Sequence, residues 1–330
     1  MTDFRVIIAD FIHDELEPER AVLDGVASLE ALNGQNEDQL VGRIDDAHAI
    51  MLYHNVCLTA KTIERLTRCR MIVRCGVGVD NVDLLLARQQ GIPVANVPDY
   101  GTEEVADSTI GMILCLSRGI TMLNSQHRDG MSAWSYTTAK PLHRLRKQVC
   151  AVIGLGRIGT AVALRAKSLG MDVVFYDPFK PDGIEKALGI RRADSIEELL
   201  SKAFVLTLHC PLTPATEQLV NADLLSQMPW GSYLINTARG GIVNSRDVVT
   251  AIESGRLAGA AIDVLPNEPP DSLEPLVRAW RDPNHAAYHR VVINPHAAFY
   301  SDESLNEMRS KGAETCRRAL LAEPLHNVVN

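Results

Sequence analysis

Several kinds of segment are missing from this 330-residue sequence, and each absence removes a class of function. No apolar run approaches the roughly 20 residues that a bilayer-crossing helix needs, so no membrane partner is expected. There is no basic surplus: 33 Lys and Arg stand against 41 Asp and Glu, a formal charge of -8, which argues against a nucleic-acid surface. Cys57, Cys69, Cys75, Cys115, Cys150, Cys210 and Cys316 form no CxxC pair and no zinc-like spacing, so no metal site is expected. Cys115 and Cys150 lie in apolar runs and read as small core residues. Cys75 and Cys210 border the motifs below, but neither has a base nearby in sequence, so neither is expected to act as a nucleophile. The opening MTDFRVIIADF lacks the charged-then-apolar pattern of a signal and reads as a first strand. Reduced thiols without a targeting segment make the cytoplasm the expected location. No internal repeat or low-complexity tract is present.

What is present centres on QVCAVIGLGRIGTAVALRAKSLGMDVVFYDP, residues 148–178. An apolar strand over 149–153 turns through Gly154-Leu155-Gly156-Arg157-Ile158-Gly159 into a helix, with Ala161, Leu164, Ala166 and Leu169 at helical spacing. A second strand over 173–176 ends at Asp177. In such a βαβ start Gly154 permits the tight turn, Gly156 lets a pyrophosphate approach the backbone, and Gly159 lets helix and strand pack closely. The helix N-terminus offers N–H groups and a positive dipole end to the phosphates. Asp177 stands where a carboxylate accepts both adenosine-ribose hydroxyls and repels a 2′-phosphate, which favours NAD over NADP.

At this length two domains are expected. Strands over 4–10, 47–53, 71–74 and 92–97 alternate with helices over 59–67 and 84–90, and a weakly patterned polar stretch fills 15–39. That alternation predicts a small parallel-sheet domain of flavodoxin-like pattern. The pattern breaks at 97–101, read as an interdomain crossover. A single long helix is expected over 102–128, with Glu103 and Glu104 in its first turn, apolar enough to be buried on several sides and to serve a subunit interface. Residues 129–146 read as a solvated connector. Further strands are expected over 204–209, 233–236, 260–264 and 291–294, with helices over 195–201, 221–227 and 246–254 and a final helix over 303–322.

Three of these strands end in polar groups, on the side where a doubly wound sheet binds its ligands. Arg239 follows 233–236 and offers two parallel donors to a carboxylate or carbonyl oxygen. His296 follows 291–294 and can give a proton to a carbonyl oxygen as hydride reaches its carbon. Glu268, beyond 260–264, would favour the protonated imidazole and fix its tautomer if the two are paired. Each has a structural reading when taken singly; together, behind a nucleotide motif, they suit one reaction.

VIGLGRIG…YDP, NTARGG, DVLPNEP and NPHAA, in this order over nearly the whole chain, resemble the D-isomer-specific 2-hydroxyacid dehydrogenase family. The resemblance implies an α/β fold of two Rossmann-like or flavodoxin-like domains with doubly wound parallel sheets, the cofactor domain inserted in the substrate domain. Residues 1–99 would begin the substrate domain, 100–298 would form the NAD-binding domain with its dimerisation helix, and 299–330 would return to the first. The family's catalytic Arg, Glu and His fall on Arg239, Glu268 and His296. The resemblance also assigns Gly76, Val77 and Gly78 to a loop whose backbone holds the substrate carboxylate. It sets His209, Cys210 and Pro211 beside adenine and pyrophosphate, and Asp263 near the nicotinamide carboxamide. Val105, Leu155, Arg157, Ile158, Thr237 and Ala238 join the cofactor contacts.

MLYH, IVRCGVGVDNVD, EEVADST, TLHC and HAAFYS look most like the C-terminal-binding-protein branch, the NAD(H)-binding corepressors. That match adds Tyr53, Arg74 and Phe299 to the substrate pocket. Phe299 stands where the branch looks to have tryptophan, and the sequence ends soon after its last expected helix, so a relative without a regulatory tail is expected. The expected activity is NAD-dependent interconversion of a small D-2-hydroxyacid and its 2-ketoacid by a homodimer. The alternatives are an NAD(H)-sensing corepressor-like binding protein and a 3-phosphoglycerate dehydrogenase-type enzyme.

Overall fold

The computed structural model describes residues 4–130 and 133–330; residues 131 and 132 of the expected connector lie outside the described residues. The chain divides into two compact units, Met1–Gly101 with Tyr300–Asn330, and Thr102–Phe299.

The first unit contains β1 (Phe4–Asp10), α1 (Glu17–Leu23), β2 (Ala27–Gly34), β3 (Ala49–Leu52), α2 (Ala60–Ile63), β4 (Ile72–Arg74), α3 (Leu84–Gln89) and β5 (Val94–Asn96). Its strands run parallel in the order β2-β1-β3-β4-β5. β3 and β4 are buried throughout, as unbroken apolar runs in a parallel sheet covered on both faces must be. Asp10, fully buried at the end of β1, accepts backbone N–H bonds from Tyr53 (2.6 Å), Asn55 (2.7 Å) and Val56 (3.2 Å). Burial raises its carboxyl above the usual range while these bonds act in the opposite direction.

The second unit opens with α4 (Thr102–Ser117) and α5 (Ile120–Arg128). It continues with β6 (Val149–Ile153), α6 (Arg157–Ser168), β7 (Asp172–Tyr176), α7 (Ile184–Leu188), β8 (Arg191–Arg192), α8 (Ile196–Leu200) and β9 (Ala203–Leu208). α9 (Ala222–Ser226), β10 (Ser232–Asn236), α10 (Ser245–Ser254), β11 (Leu257–Ile262), α11 (Pro275–Arg281) and β12 (Val291–Ile293) complete it. All seven strands are parallel, in the order β12-β11-β10-β9-β6-β7-β8. The strand order reverses between β6 and β9, and the crevice at such a switch point is where doubly wound sheets take ligands.

The last helix, α12 (Asp302–Leu320), belongs to the first unit and packs on α1, β3 and β4. A Cβ at Gly312 would lie 2.8 Å from Cys75 Sγ and 3.0 Å from Met51 Cε, so only glycine lets the helix lie this close to the strands. Arg309, also on α12, is buried and makes paired bonds to Glu19 (2.7 Å) and Asp14 (2.6 and 2.8 Å).

The structure corrects several element expectations. The single helix expected over 102–128 is two, bent by 61° at Arg118 and Gly119. Gly119 takes φ 63°, the left-handed conformation that ends helices and that glycine adopts without steric cost. The apolar residues on either side masked that stop. On α4, Val105, Thr109, Met112, Ile113 and Leu116 form a buried stripe, while Ile110 and Leu114 are half-buried. On α6 the buried face is Gly159, Val162, Ala163 and Ala166, and Leu164 and Leu169 are exposed. The strand expected over 260–264 starts at Leu257 and stops before Asp263, and the helix expected over 59–67 is only Ala60–Ile63. α7, β8 and α11 were not foreseen; the three are short, and β8 is an edge strand of two residues.

Candidate active site

Register aligns the polar groups of the second unit. Ile153 pairs with Leu208, Leu208 with Asn236, Asn236 with Ile262, and Ile262 with Ile293, one row across five strands. The residues one step beyond that row are Gly154, His209, Thr237, Asp263 and Asn294, all at carboxyl ends.

At the switch point the glycine turn and the strand-end loop of β9 touch. A Cβ on Gly154, whose φ is 88°, would lie 2.7 Å from the His209 carbonyl and the Cys210 nitrogen. A Cβ on Gly159 would lie 2.0 Å from Gly154 O, whereas one on Gly156 would meet nothing within 4 Å. Two of the glycines are therefore forced by packing, and the middle one faces open space at the start of α6. Both oxygens of Asp177 are held by backbone: Oδ2 accepts from Leu155 N–H (2.8 Å) and Oδ1 from Phe179 N–H (2.9 Å). An open cradle at a helix N-terminus with an anchored carboxylate at the next strand end fits a dinucleotide with free ribose hydroxyls.

His209 pairs through Nε2 with Thr207 Oγ1 (2.9 Å), and its buried Nδ1 has no hydrogen-bond partner among the described residues. Burial pushes its imidazole down to about 3, so the ring is neutral at physiological pH. Burial pushes the Cys210 thiol up to about 11 and raises that of Cys75 further, so neither supplies a thiolate nucleophile.

The Arg239 turn is set by Asn236, buried at the end of β10. Its Oδ1 accepts from Ala238 N–H (3.0 Å) and its Nδ2 donates to Arg239 O (2.9 Å). The half-buried guanidinium of Arg239 donates to Ala238 O (2.8 Å). A Cβ on Gly240 would lie 1.9 Å from the Leu265 carbonyl carbon, so glycine is required for this turn to cross the loop that carries Glu268. Sequence reasoning missed Asn236 as part of the site, although an Asn closing a strand before a tight turn is a recognisable signal.

Glu268 and His296 are brought together. Glu268 Oε1 accepts from Leu265 N–H (2.8 Å), and Oε2 lies 2.6 Å from His296 Nδ1. His296 has φ 52°, uncommon for a non-glycine residue, and is pinned there. Its N–H donates to Asp263 O (2.7 Å), and the Asp263 carboxylate accepts from Ala297 N–H (2.9 Å) and Ala298 N–H (3.0 Å). Burial raises the Asp263 carboxyl above its ordinary value, while the Ala298 and Ala297 bonds act in the opposite direction. The Phe299 ring stands edge-on to the imidazole, with centroids 6.3 Å apart. Thr237 and Val105 are buried, and Thr237 Oγ1 lies 3.0 Å from Thr109 Oγ1.

The remaining candidates lie in the first unit. Gly76 has φ 144°, and the Arg74 guanidinium fills the space beside it: a Cβ there would lie 1.7 Å from Nη1. Arg74 is buried and donates to Cys75 O (3.2 Å) and Asn81 Oδ1 (3.3 Å). Tyr53 is wholly buried, its hydroxyl 3.5 Å from Glu19 Oε1. Val77 is exposed and Gly78 half-buried; the carbonyls of Gly76 and Val77 accept from Val97 N–H (3.1 Å) and Asn96 Nδ2 (2.7 Å).

A doubly wound parallel sheet with a glycine turn and an anchored acid at its switch point defines a dinucleotide-binding protein. Residues 110–298 match the model of the D-isomer specific 2-hydroxyacid dehydrogenase, NAD binding domain, and the chain belongs to that family, whose cofactor is NAD. It is 31% identical over 326 residues to D-3-phosphoglycerate dehydrogenase of Methanocaldococcus jannaschii, covering 99% of this chain and 59% of that one. It is 33% identical over 309 residues to C-terminal-binding protein 1 of Caenorhabditis elegans, covering 92% and 41%. The chain thus spans between two fifths and three fifths of these curated relatives. Among solved structures, D-lactate dehydrogenase of Aquifex aeolicus, complexed with NAD and lactic acid, superposes with a TM-score of 0.86 at 26% identity over 96% of each chain.

Proposed function

We propose that the protein interconverts a D-2-hydroxyacid and its 2-ketoacid, with His296, Glu268 and Arg239 as the catalytic residues. The observation that carries this reading is the 2.6 Å pair between Glu268 Oε2 and His296 Nδ1, at the carboxyl ends of the sheet that holds the glycine turn. Bound NADH supplies the hydride to the keto carbon. With Nδ1 turned to Glu268, His296 presents Nε2 to the keto oxygen and delivers the proton that completes the hydroxyl; in the oxidation it takes that proton back. Arg239 binds the substrate carboxylate and carbonyl oxygen, and its hydrogen bond strengthens as negative charge develops there. Phe299, edge-on to the imidazole, shapes the side-chain pocket. Asp177 makes NAD(H) the preferred cofactor by more than about tenfold, because a 2′-phosphate would meet a carboxylate (about 1.4 kcal/mol per tenfold).

The test is turnover of a panel of 2-ketoacids, 3-phosphohydroxypyruvate among them, followed by NADH absorbance and repeated with NADPH. Turnover with NADH and weak activity with NADPH support the reading. NADH binding without turnover of any ketoacid would instead favour an NAD(H)-responsive binding protein, the reading motivated by the C-terminal-binding protein relative.

A further inference from the structure

Two adjacent hydroxyls on α4 reach the two turns that carry the catalytic groups. Ser108 Oγ donates to Ala298 O at 3.1 Å, two residues beyond His296. Thr109 Oγ1, wholly buried, donates to Val105 O at 2.7 Å and lies 3.0 Å from Thr237 Oγ1, two residues before Arg239.

The direction of these bonds follows from the atoms. A carbonyl only accepts, so the contact with Val105 O commits the single Thr109 hydrogen. The Thr237 hydroxyl must then donate to Thr109, which leaves its remaining capacity as acceptor only. On the other side, Ala298 is gripped twice: its N–H by Asp263 and its C=O by Ser108. Asp263 anchors the His296 turn to the end of β11, and Asn236 anchors the Arg239 turn to the end of β10. Ser108 and Thr109 tie both turns to one rigid element.

We propose that Ser108 and Thr109 are positioning residues, which hold the His296 and Arg239 turns at a fixed separation through α4. This rests on the dehydrogenase reading given above. A buried hydroxyl at position 109, among Val105, Met112, Ile113 and Leu116, is tolerated because both of its bonds are made. A misplacement of about 1 Å in a proton donor or carbonyl-binding group is enough to cost on the order of a hundredfold in rate, which sets the scale of the effect.

The experiment compares Ser108→Ala and Thr109→Val with the hydroxyl-retaining Ser108→Thr and Thr109→Ser, in the full chain. The expected result is a fall in kcat of about tenfold to a hundredfold in the first pair, with the NADH dissociation constant within about threefold of the parent and kcat largely recovered in the second pair. Parent-like kcat in Ser108→Ala and Thr109→Val overturns the proposal, as does an equal loss in the hydroxyl-retaining variants. Amide hydrogen exchange supplies a readout independent of turnover: Ala297 and Ala298 exchange faster in Ser108→Ala, and Ala238 to Gly241 faster in Thr109→Val. If the parent turns over no ketoacid, the dehydrogenase reading fails, and unchanged exchange at both turns then overturns the brace as well.

Discussion

His209 and Glu268 show how the environment of one side chain sets its chemistry. The His209 ring, pushed down to about 3 from the ordinary 6.5 by burial, stays neutral in the folded state. Between those two values the unfolded chain binds the extra proton, so the stabilisation from the neutral ring is complete above about pH 6.5 and is lost as pH falls toward 3, at up to about 1.4 kcal/mol per pH unit. Thermal unfolding midpoints of the parent should therefore drop more steeply between pH 6.5 and 4.5 than those of His209→Asn; parallel curves would refute the buried neutral ring. Glu268 acts through geometry: its Oε2 holds His296 Nδ1 at 2.6 Å, so Glu268→Gln should lower kcat in ketoacid reduction by about tenfold or more with NADH affinity nearly unchanged. A parent-like kcat in Glu268→Gln would mean that something else orients His296.

Elements carry these residues to their places, and here the legibility of the sequence was uneven. The βαβ start was readable because each glycine does a separate steric job: Gly154 takes φ 88° in the tight turn, and a Cβ on Gly159 would strike Gly154 O at the strand end. Glu268 and His296, 28 residues apart, could be paired only by supposition, since the contact depends on a register row that spans five strands. The break at Gly119 was hidden because the apolar pattern continues through it, and the true buried face of α6 was hidden because small residues, not leucines, meet the sheet. Nothing in the sequence announced the Arg309 cluster, which binds α12 to α1 across almost 300 positions of chain. Glu19 is wholly buried there, so Arg309→Met leaves a carboxylate without its partner and should destabilise the first unit by about 3–5 kcal/mol, with partial recovery in Arg309→Met/Glu19→Leu. Denaturant unfolding of the two variants measures this. Equal losses in both would assign the cost to packing rather than charge.

At the scale of the whole molecule, the parallel sheets and the family were legible because the motifs follow one another in order along nearly the whole chain. α5 has no fully buried residue, and Ile120, Trp134 and Tyr136 of the same unit are exposed at 53%, 94% and 76%. We propose that a second copy covers this face, making a twofold dimer through α4 and α5. Sedimentation should give a dimer at micromolar concentration, and a monomer there would contradict it. The proposed role of His296 as the proton donor of a dehydrogenase is tested most directly by steady-state ketoacid reduction with the parent and with His296→Ala, NADH affinity being measured in parallel. The expected result is a loss in kcat of roughly 10²–10⁴-fold with NADH binding nearly unchanged. Parent-like kcat in His296→Ala would contradict it.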